Sequence, residues 1–162
     1  MRAHLTLRNR QRTRPVHLRW LRQLVQTLRV ESATDGRVDL GIYLVGEAEM
    51  TRLNEQFLRH AGSTDVITFD YTDDATRETG PAWVGEIFIC VDEAVKQARR
   101  FRTTWATEMA RYVVHGLLHL EGFDDQRPAA RRRMKREENR RLRLLARGFA
   151  LNALATDSKL RP

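Results

Sequence analysis

Two histidines, His115 and His119, stand four positions apart in a strongly apolar segment of the chain. On an α-helix this spacing places both imidazoles on one face, with their Cβ atoms about 5–6 Å apart. Gly122 favours the end of such a helix, and the carboxylates of Asp124 and Asp125 follow it directly. Two imidazoles and one carboxylate would hold a divalent ion, zinc above all, and leave a fourth position open, as in catalytic zinc sites.

A site of this kind would support hydrolysis. Zinc lowers the pKa of a bound water toward about 7 and polarises a phosphoryl or carbonyl oxygen. A chain with five histidines can also contain such a pair by chance, and Asp124 or Asp125 would make a good N-cap for a helix that begins near Pro128. The pair, the apolar segment and the glycine together favour the metal site.

Gly116 distinguishes this motif from the His-Glu-x-x-His metallopeptidases, which carry a glutamate general base beside the first histidine. Peptide hydrolysis is therefore disfavoured. Phosphodiester cleavage suits a basic chain better, because arginines can hold the charge that develops on the phosphate. Either water or the ribose 2′-OH would attack the phosphorus, and we expect water, which leaves a linear phosphate rather than a 2′,3′-cyclic one.

The charge of the chain favours a polyanionic partner. The 162 residues include 29 basic and 21 acidic side chains, a net charge of +8, and only three of the basic residues are lysines. Nucleic acid and an acidic membrane surface both suit this sign. No segment has the roughly 20 apolar residues of a membrane span. The single cysteine, Cys90, cannot form a disulfide within the chain, so a reducing compartment, the cytoplasm, is expected.

Ten basic residues lie within residues 127–147, which comprise the last predicted helix and the residue before it. Among them, Arg132, Arg133 and Arg136 are candidates for contacts with an RNA backbone. The alternative is a solvated helix face, which is the more common reason for such a pattern.

The pattern of apolar and turn residues in the rest of the chain predicts the helices and strands that must position these side chains. Apolar periodicity and turn residues predict an α/β (α+β) class, with a small mixed sheet of about four strands packed against helices. A single domain is expected over residues 15–150, after a loose basic lead-in at 1–14 and before a tail at 151–162. The predicted helices cover about 16–28, 47–58, 92–100, 104–120 and 128–147. The predicted strands cover 38–44, 65–69 and 84–90, and residues 73–81 form a polar loop.

The segment from His115 to Asp125 reads His-Gly-Leu-Leu-His-Leu-Glu-Gly-Phe-Asp-Asp. It resembles the hallmark of the YbeY endoribonucleases, also called rRNA maturation factors, which is His-Gly-x-Leu-His-Leu-x-Gly-Tyr-Asp-His. Further matches follow in the correct order over about residues 40 to 145. They are Leu53-Asn54 with Thr64–Phe69, Gly85–Ile89, and the pair Met134 and Glu138 in a Met-x-x-x-Glu pattern.

The resemblance implies a small α/β protein that binds one zinc-type ion and cleaves single-stranded RNA. It also implies maturation of the small-subunit rRNA 3′ end, ribosome quality control, and the ribosome or its small subunit as a partner. A ribosome-assembly or RNA-binding factor without catalysis, in which the metal only supports the fold, is the alternative.

Two positions differ from the family pattern. The third histidine of the hallmark is Asp125 here, so His115, His119 and Asp125 are the expected ligands. The family also carries an arginine and, two residues on, a lysine after the Leu-Asn helix. These positions align with Leu58 and His60, and Arg59 lies between them. We expect Arg59 or His60 to stabilise the phosphate in the transition state.

Overall fold

A four-stranded mixed sheet packed against six α-helices makes up the computed structural model, which describes residues 3–32 and 36–148. The α/β prediction is confirmed. The strands are β1 (His4–Asn9), β2 (Val38–Val45), β3 (Val66–Asp70) and β4 (Trp83–Cys90). The helices are α1 (Leu18–Glu31), α2 (Glu47–Leu53), α3 (Asp74–Glu78), α4 (Val91–Phe101), α5 (Trp105–Leu120) and α6 (Pro128–Gly148).

The strands lie in the order β1-β2-β4-β3. The first three run parallel to one another, and β3 runs antiparallel to β4. The central strands β2 and β4 are apolar along most of their length, as expected where helices cover a parallel sheet. Ile42 pairs with Ile87 across these two strands, and Thr68 of β3 pairs with Ile87 from the other side. This region of β4 is the surface on which α5 packs.

The N-terminal segment differs from the sequence-based expectation. Residues 1–14 are predicted as a loose basic lead-in, but residues 4–9 form β1, which pairs with β2 from His4↔Asp39 to Asn9↔Leu44. The prediction is therefore wrong for this stretch. As an edge strand, β1 buries only one side: Leu5 and Leu7 pack against the core while the alternating residues face outward. The proposed tail, residues 151–162, lies outside the described residues.

Two further segments differ locally. The helix predicted over 47–58 is α-helical to Leu53 and continues as one π-helical turn, Asn54–Leu58. The buried side chain of Asn54 donates to the carbonyl of Gly62 at 2.9 Å, which fixes the turn that follows. The loop predicted over 73–81 contains α3, whose start is capped by the Asp73 carboxylate accepting from the amide of Thr76.

Helix α5 packs unusually close to the sheet. A Cβ at position 116 would lie 2.8 Å from two carbons of Ile87, so any residue larger than glycine would force the Ile87 side chain to shift. Gly85, two residues earlier in β4, has the same role, because a Cβ there would meet the Phe69 carbonyl oxygen and the Leu120 side chain. The close approach fixes α5 against β4. Its helical spacing leaves His115 and His119 half-buried on a flank beside α6.

Helix α6 covers the outer side of α5 and buries charged as well as apolar side chains. Met134, Leu142 and Leu145 join the main core, and Glu138 and Arg141 are buried in the same stripe. Its remaining surface is strongly basic. Neither α6 nor any other helix within residues 3–32 and 36–148 is long and apolar enough to cross a membrane.

Candidate metal centre

Three predicted ligands, His115, His119 and Asp125, converge at the C-terminal end of α5. The two imidazole Nε2 atoms lie 3.1 Å apart. The Oδ2 atom of Asp125 lies 3.6 Å from Nε2 of His115 and 3.8 Å from Nε2 of His119. Each of the three residues offers one donor atom to a common point, and all three side chains are partly accessible from outside.

The chain reverses at Gly122 and so brings Asp125 back to the histidines. Gly122 has φ +94°, which strongly favours glycine, and its amide donates to the carbonyl of His119 at 3.0 Å. The Phe123 amide donates to the carbonyl of Leu118, also at 3.0 Å. These bonds close a glycine C-cap of the kind predicted from the sequence.

Hydrogen bonds to the far nitrogen fix both imidazole rings. Nδ1 of His119 donates to the carbonyl oxygen of Phe123 at 3.1 Å, and Nδ1 of His115 donates to the buried carboxylate of Glu138 at 3.0 Å. Because both partners are acceptors, each Nδ1 carries a proton. The two Nε2 atoms are the ones that face the carboxylate of Asp125, at 3.6 and 3.8 Å.

The donor set fits a divalent metal ion. Three atoms that all act as acceptors converge with no hydrogen-bond donor among them, an arrangement that a cation stabilises. In a tetrahedral zinc site with bonds of about 2.0–2.2 Å, ligand atoms lie about 3.4 Å apart. The observed separations of 3.1, 3.6 and 3.8 Å bracket that value. The chemistry of the ligands and their spacing thus agree.

The protonation states also suit metal binding. Burial lowers the pKa of His119, and its neighbour His115 lowers it further, so the ring is neutral at physiological pH. Burial alone would raise the pKa of Glu138, but hydrogen bonds from His115, Arg111 and Lys135 outweigh it and bring the pKa to about 2. The ring of His115 therefore contacts a carboxylate that is charged at neutral pH.

Asp125 gives the first test of this geometry. We expect Asp125→Ala to weaken zinc binding on the order of 10²–10³-fold, since structural zinc sites owe about 10–16 kcal/mol to four ligands. Asp125→His should retain or tighten binding, because imidazole is a good zinc ligand. Competition with a chromogenic chelator measures both affinities.

The control is Asp124→Asn, which retains an oxygen for the amide of Gln126, now 2.9 Å from the carboxylate of Asp124. It should bind zinc like the wild-type chain. Equal loss in Asp124→Asn and Asp125→Ala would mean that the loop, and not a ligand, had been disturbed.

Glu138 gives a second test. Carboxylates that orient a ligating histidine typically contribute 10- to 100-fold to metal affinity, so Glu138→Gln should lower zinc affinity by about that factor. The matched control is Glu137→Gln, the neighbouring acid, which has a similarly low pKa of about 2 but contacts Arg140 and Arg141 instead of a histidine. Unchanged zinc affinity in Glu138→Gln would remove the orienting role.

The other residues predicted for the site lie elsewhere. Arg59 and His60 are exposed in the turn after the π-helical segment, where Arg59 has a left-handed φ of 54°. Neither belongs to the described residues that line the cavity beside the three ligands. Arg132, Arg133 and Arg136 are exposed on α6 and do not line that cavity either. The roles predicted for these five residues stay predictions.

A cavity of about 260 Å³, here called the ligand cavity, opens beside His115 and Asp125. Sequence reasoning assigned no role there to several of its lining residues. They are Arg111, Tyr112, Arg131, Met134, Lys135 and Glu138. One signal was available for Glu138, an acid at a position of α6 where helical spacing places apolar residues. The carboxylate of Asp65, the first residue of the strand predicted over 65–69, accepts from the Val66 amide at 2.8 Å and also lines the cavity.

Comparison with known proteins supports this description. A family model described as Endoribonuclease YbeY matches residues 6–146. A protein named Endoribonuclease YbeY from Chlorobium phaeovibrioides (strain DSM 265 / 1930) is 35% identical over 113 residues, 70% of this chain and 72% of that protein. One of the same name from Myxococcus xanthus (strain DK1622) is 37% identical over 124 residues, 76% of this chain, and the match spans only 42% of that longer protein.

A solved structure has the same fold. The solution structure of TM1509 from Thermotoga maritima aligns with a TM-score of 0.64 over 97% of this chain and 99% of that one, at 23% identity. The family match covers the helix, turn and ligands described above. The chain therefore belongs to the Endoribonuclease YbeY family.

Proposed function

We propose that the protein is a zinc-dependent endoribonuclease that cleaves single-stranded RNA during rRNA maturation. The observation that carries the proposal is the convergence of His115, His119 and Asp125 beside a cavity. His115 and Asp125 line this cavity together with Arg111, Arg131 and Lys135. A metal site bordered by cationic side chains suits a phosphodiester substrate. Membership of a family named for endoribonuclease activity supports the same reaction.

In this mechanism His115, His119 and Asp125 would hold the ion, and the residues that contact them fix their side chains. A zinc ion bound there would supply a Lewis acid and a nucleophile at neutral pH. Glu138 and the carbonyl of Phe123 keep the protons of both rings on Nδ1, so that each Nε2 stays available. Arg111 and Lys135 stabilise the charge of Glu138 through bonds of 2.8 and 3.0 Å.

The geometry of α5 disfavours a metallopeptidase. In His-Glu-x-x-His enzymes the general base occupies the position that is Gly116 here. A glutamate at 116 would have to displace Ile87, whose carbons already lie 2.8 Å from where its Cβ would be. Phosphodiester cleavage needs no base at that position if water or the 2′-OH is activated elsewhere.

The biological setting follows from the family. The proposed role is to process the 3′ end of small-subunit rRNA and to take part in the quality control of ribosomes in the cytoplasm. This role includes contact with the small subunit. The alternative is an assembly factor that binds RNA without cleaving it. An assembly factor of this kind would bind RNA, but no RNA cleavage products would appear when the metal is added.

Cleavage of a defined RNA tests the proposal. We expect the zinc-loaded protein to cut a labelled single strand and to spare the same sequence in a duplex, and we expect a chelator to abolish cutting. A single 2′-deoxy substitution at the cleaved nucleotide should be tolerated and leave a linear phosphate. Products with only 2′,3′-cyclic ends, blocked by that substitution, would assign the attack to the 2′-OH. RNA binding without any cleavage would favour the assembly factor.

A further inference from the structure

One wall of the ligand cavity is cationic and faces the metal ligands. Arg111 of α5 and Arg131 and Lys135 of α6 line the same cavity as His115 and Asp125. Its volume of about 260 Å³ corresponds to roughly eight or nine water molecules, enough to admit a phosphate group with part of its sugar. The cavity can therefore hold more than the ion itself.

The three cations differ in the donors that they leave free. Nη1 of Arg111 donates to Glu138 at 2.8 Å and to Asn139 at 3.2 Å. Lys135 uses one contact, to Glu138 at 3.0 Å, while its side chain is 57% exposed. Arg131 donates through Nε to the carbonyl of Asp125 at 3.0 Å, and no bond from its two Nη atoms to another described residue is found. Arg131 and Lys135 thus keep donors for a ligand.

The charges of the lining favour an anion once the ion is bound. Three acids, Asp65, Asp125 and Glu138, balance the three cations in number. A divalent ion held by the histidines and Asp125 leaves the cavity with an excess of two positive charges. A phosphodiester, with one negative charge, is attracted to such a site.

The position of these cations on α6 separates them from the other basic residues. Positions 131 and 135 are one helical turn apart and flank the buried Met134 and Glu138, which face α5. Arg133 and Arg136 line a different depression with Phe123 and Arg140.

We infer that Arg131 and Lys135 form a phosphate-binding pair that holds a backbone phosphate of single-stranded RNA beside the metal ligands. The inference rests on the proposed function, because it names how the proposed substrate is held at that site. The ligand class is a phosphodiester of a flexible strand. The same donors would bind free inorganic phosphate only weakly, because free phosphate lacks the additional contacts that the rest of an RNA strand makes.

Three double variants of α6 test the pair, each removing two charges four residues apart. They are Arg131→Gln with Lys135→Gln, Arg132→Gln with Arg136→Gln, and the control Arg143→Gln with Arg147→Gln, two exposed arginines further along the helix. Fluorescence anisotropy measures binding of the zinc-loaded full chain to a 15-nucleotide 2′-O-methyl RNA, which retains the phosphates, and gel electrophoresis after each titration shows whether the probe is still intact. Each titration is repeated over a salt series, and inorganic phosphate is added as a competitor at constant ionic strength.

We expect the Arg131/Lys135 variant to lose about tenfold in affinity at low salt. The slope of log K against log salt should become shallower by about 0.7, since the pair holds one phosphate and each phosphate neutralised on a single strand contributes about 0.7. The Arg143/Arg147 control should stay close to the wild-type affinity and slope. Inorganic phosphate should displace RNA only at high concentration, and less effectively still from the Arg131/Lys135 variant.

A larger loss in the Arg132/Arg136 variant would overturn the inference and place the RNA on the outer face of α6, with the proposed function intact. Zinc affinity is measured in parallel, and Arg131→Gln alone, which retains the bond from Lys135 to Glu138, serves as the second variant. If RNA affinity falls only where zinc affinity falls, the pair supports the ligands and does not bind phosphate. If the wild-type chain itself does not bind RNA, the proposed function fails as well.

Discussion

Replacement of His115 by alanine should greatly weaken metal binding and abolish RNA cleavage at limiting zinc. Loss of one of the three ligands is expected to weaken zinc binding on the order of 10²–10³-fold, by the share of one ligand in typical zinc affinities. Activity should then fall to background at a free zinc concentration that only just saturates the wild-type chain. Chelator competition and a single-strand cleavage assay measure the two effects, and His119→Ala should behave in the same way.

The control for this prediction is His4→Ala. His4 lies on the edge strand β1, where it contacts Asp39 at 3.1 Å on the surface, and its loss should leave zinc affinity and cleavage unchanged. Circular dichroism establishes that the α5 variants keep their helices. Full cleavage by a folded His115→Ala, His119→Ala protein that binds no metal would refute the metal-dependent mechanism.

The second large effect is expected from a buried ion pair that joins α6 to the end of α5. Arg141 is 5% exposed and contacts both carboxylate oxygens of Glu121, at 2.6 and 3.0 Å, while Glu121 also accepts from the indole of Trp83 at 2.9 Å. Removal of one partner leaves the other charge buried and unpaired, which typically costs about 3–5 kcal/mol. We therefore expect Arg141→Met to lower the free energy of unfolding by that amount in urea titrations.

A double-mutant cycle separates the charge from the packing. Glu121→Gln retains an oxygen for Trp83 and removes the charge, so adding it to Arg141→Met should recover some of the lost stability. Arg140→Met, which breaks only an exposed pair with Glu137, should cost no more than about 1 kcal/mol. If Arg141→Met is as mild as Arg140→Met, the buried pair does not hold α6 in place.

The sequence was most informative where local signals agree. Helix α5 is predicted over 104–120 and lies at Trp105–Leu120, because an apolar stripe, the Thr104 cap on the amide of Thr107 and the Gly122 stop all coincide. The three predicted metal ligands lie within this helix and the turn after it. Their convergence therefore depends on local geometry that helical spacing already determines.

Longer-range features could not be obtained in this way. Helical spacing places Arg131, Lys135 and Glu138 on one side of α6, but only tertiary packing shows that this side faces α5 and His115. The same limit applies to β1, whose short alternation of Leu5 and Leu7 among basic residues becomes a strand only because β2 offers an edge. The sequence pattern alone does not indicate which helix or strand an amphipathic face packs against.

The contact between Gly116 and Ile87 also bears on how this family can evolve. Adding atoms to a packed core typically costs about 1–3 kcal/mol, and natural domains have only about 5–15 kcal/mol of stability in total. A glutamate at 116 would take up a sizeable part of that stability, and a smaller residue at 87 would relieve the cost. The two positions are therefore coupled, and a route from this histidine motif to the peptidase motif is easier when position 87 changes first.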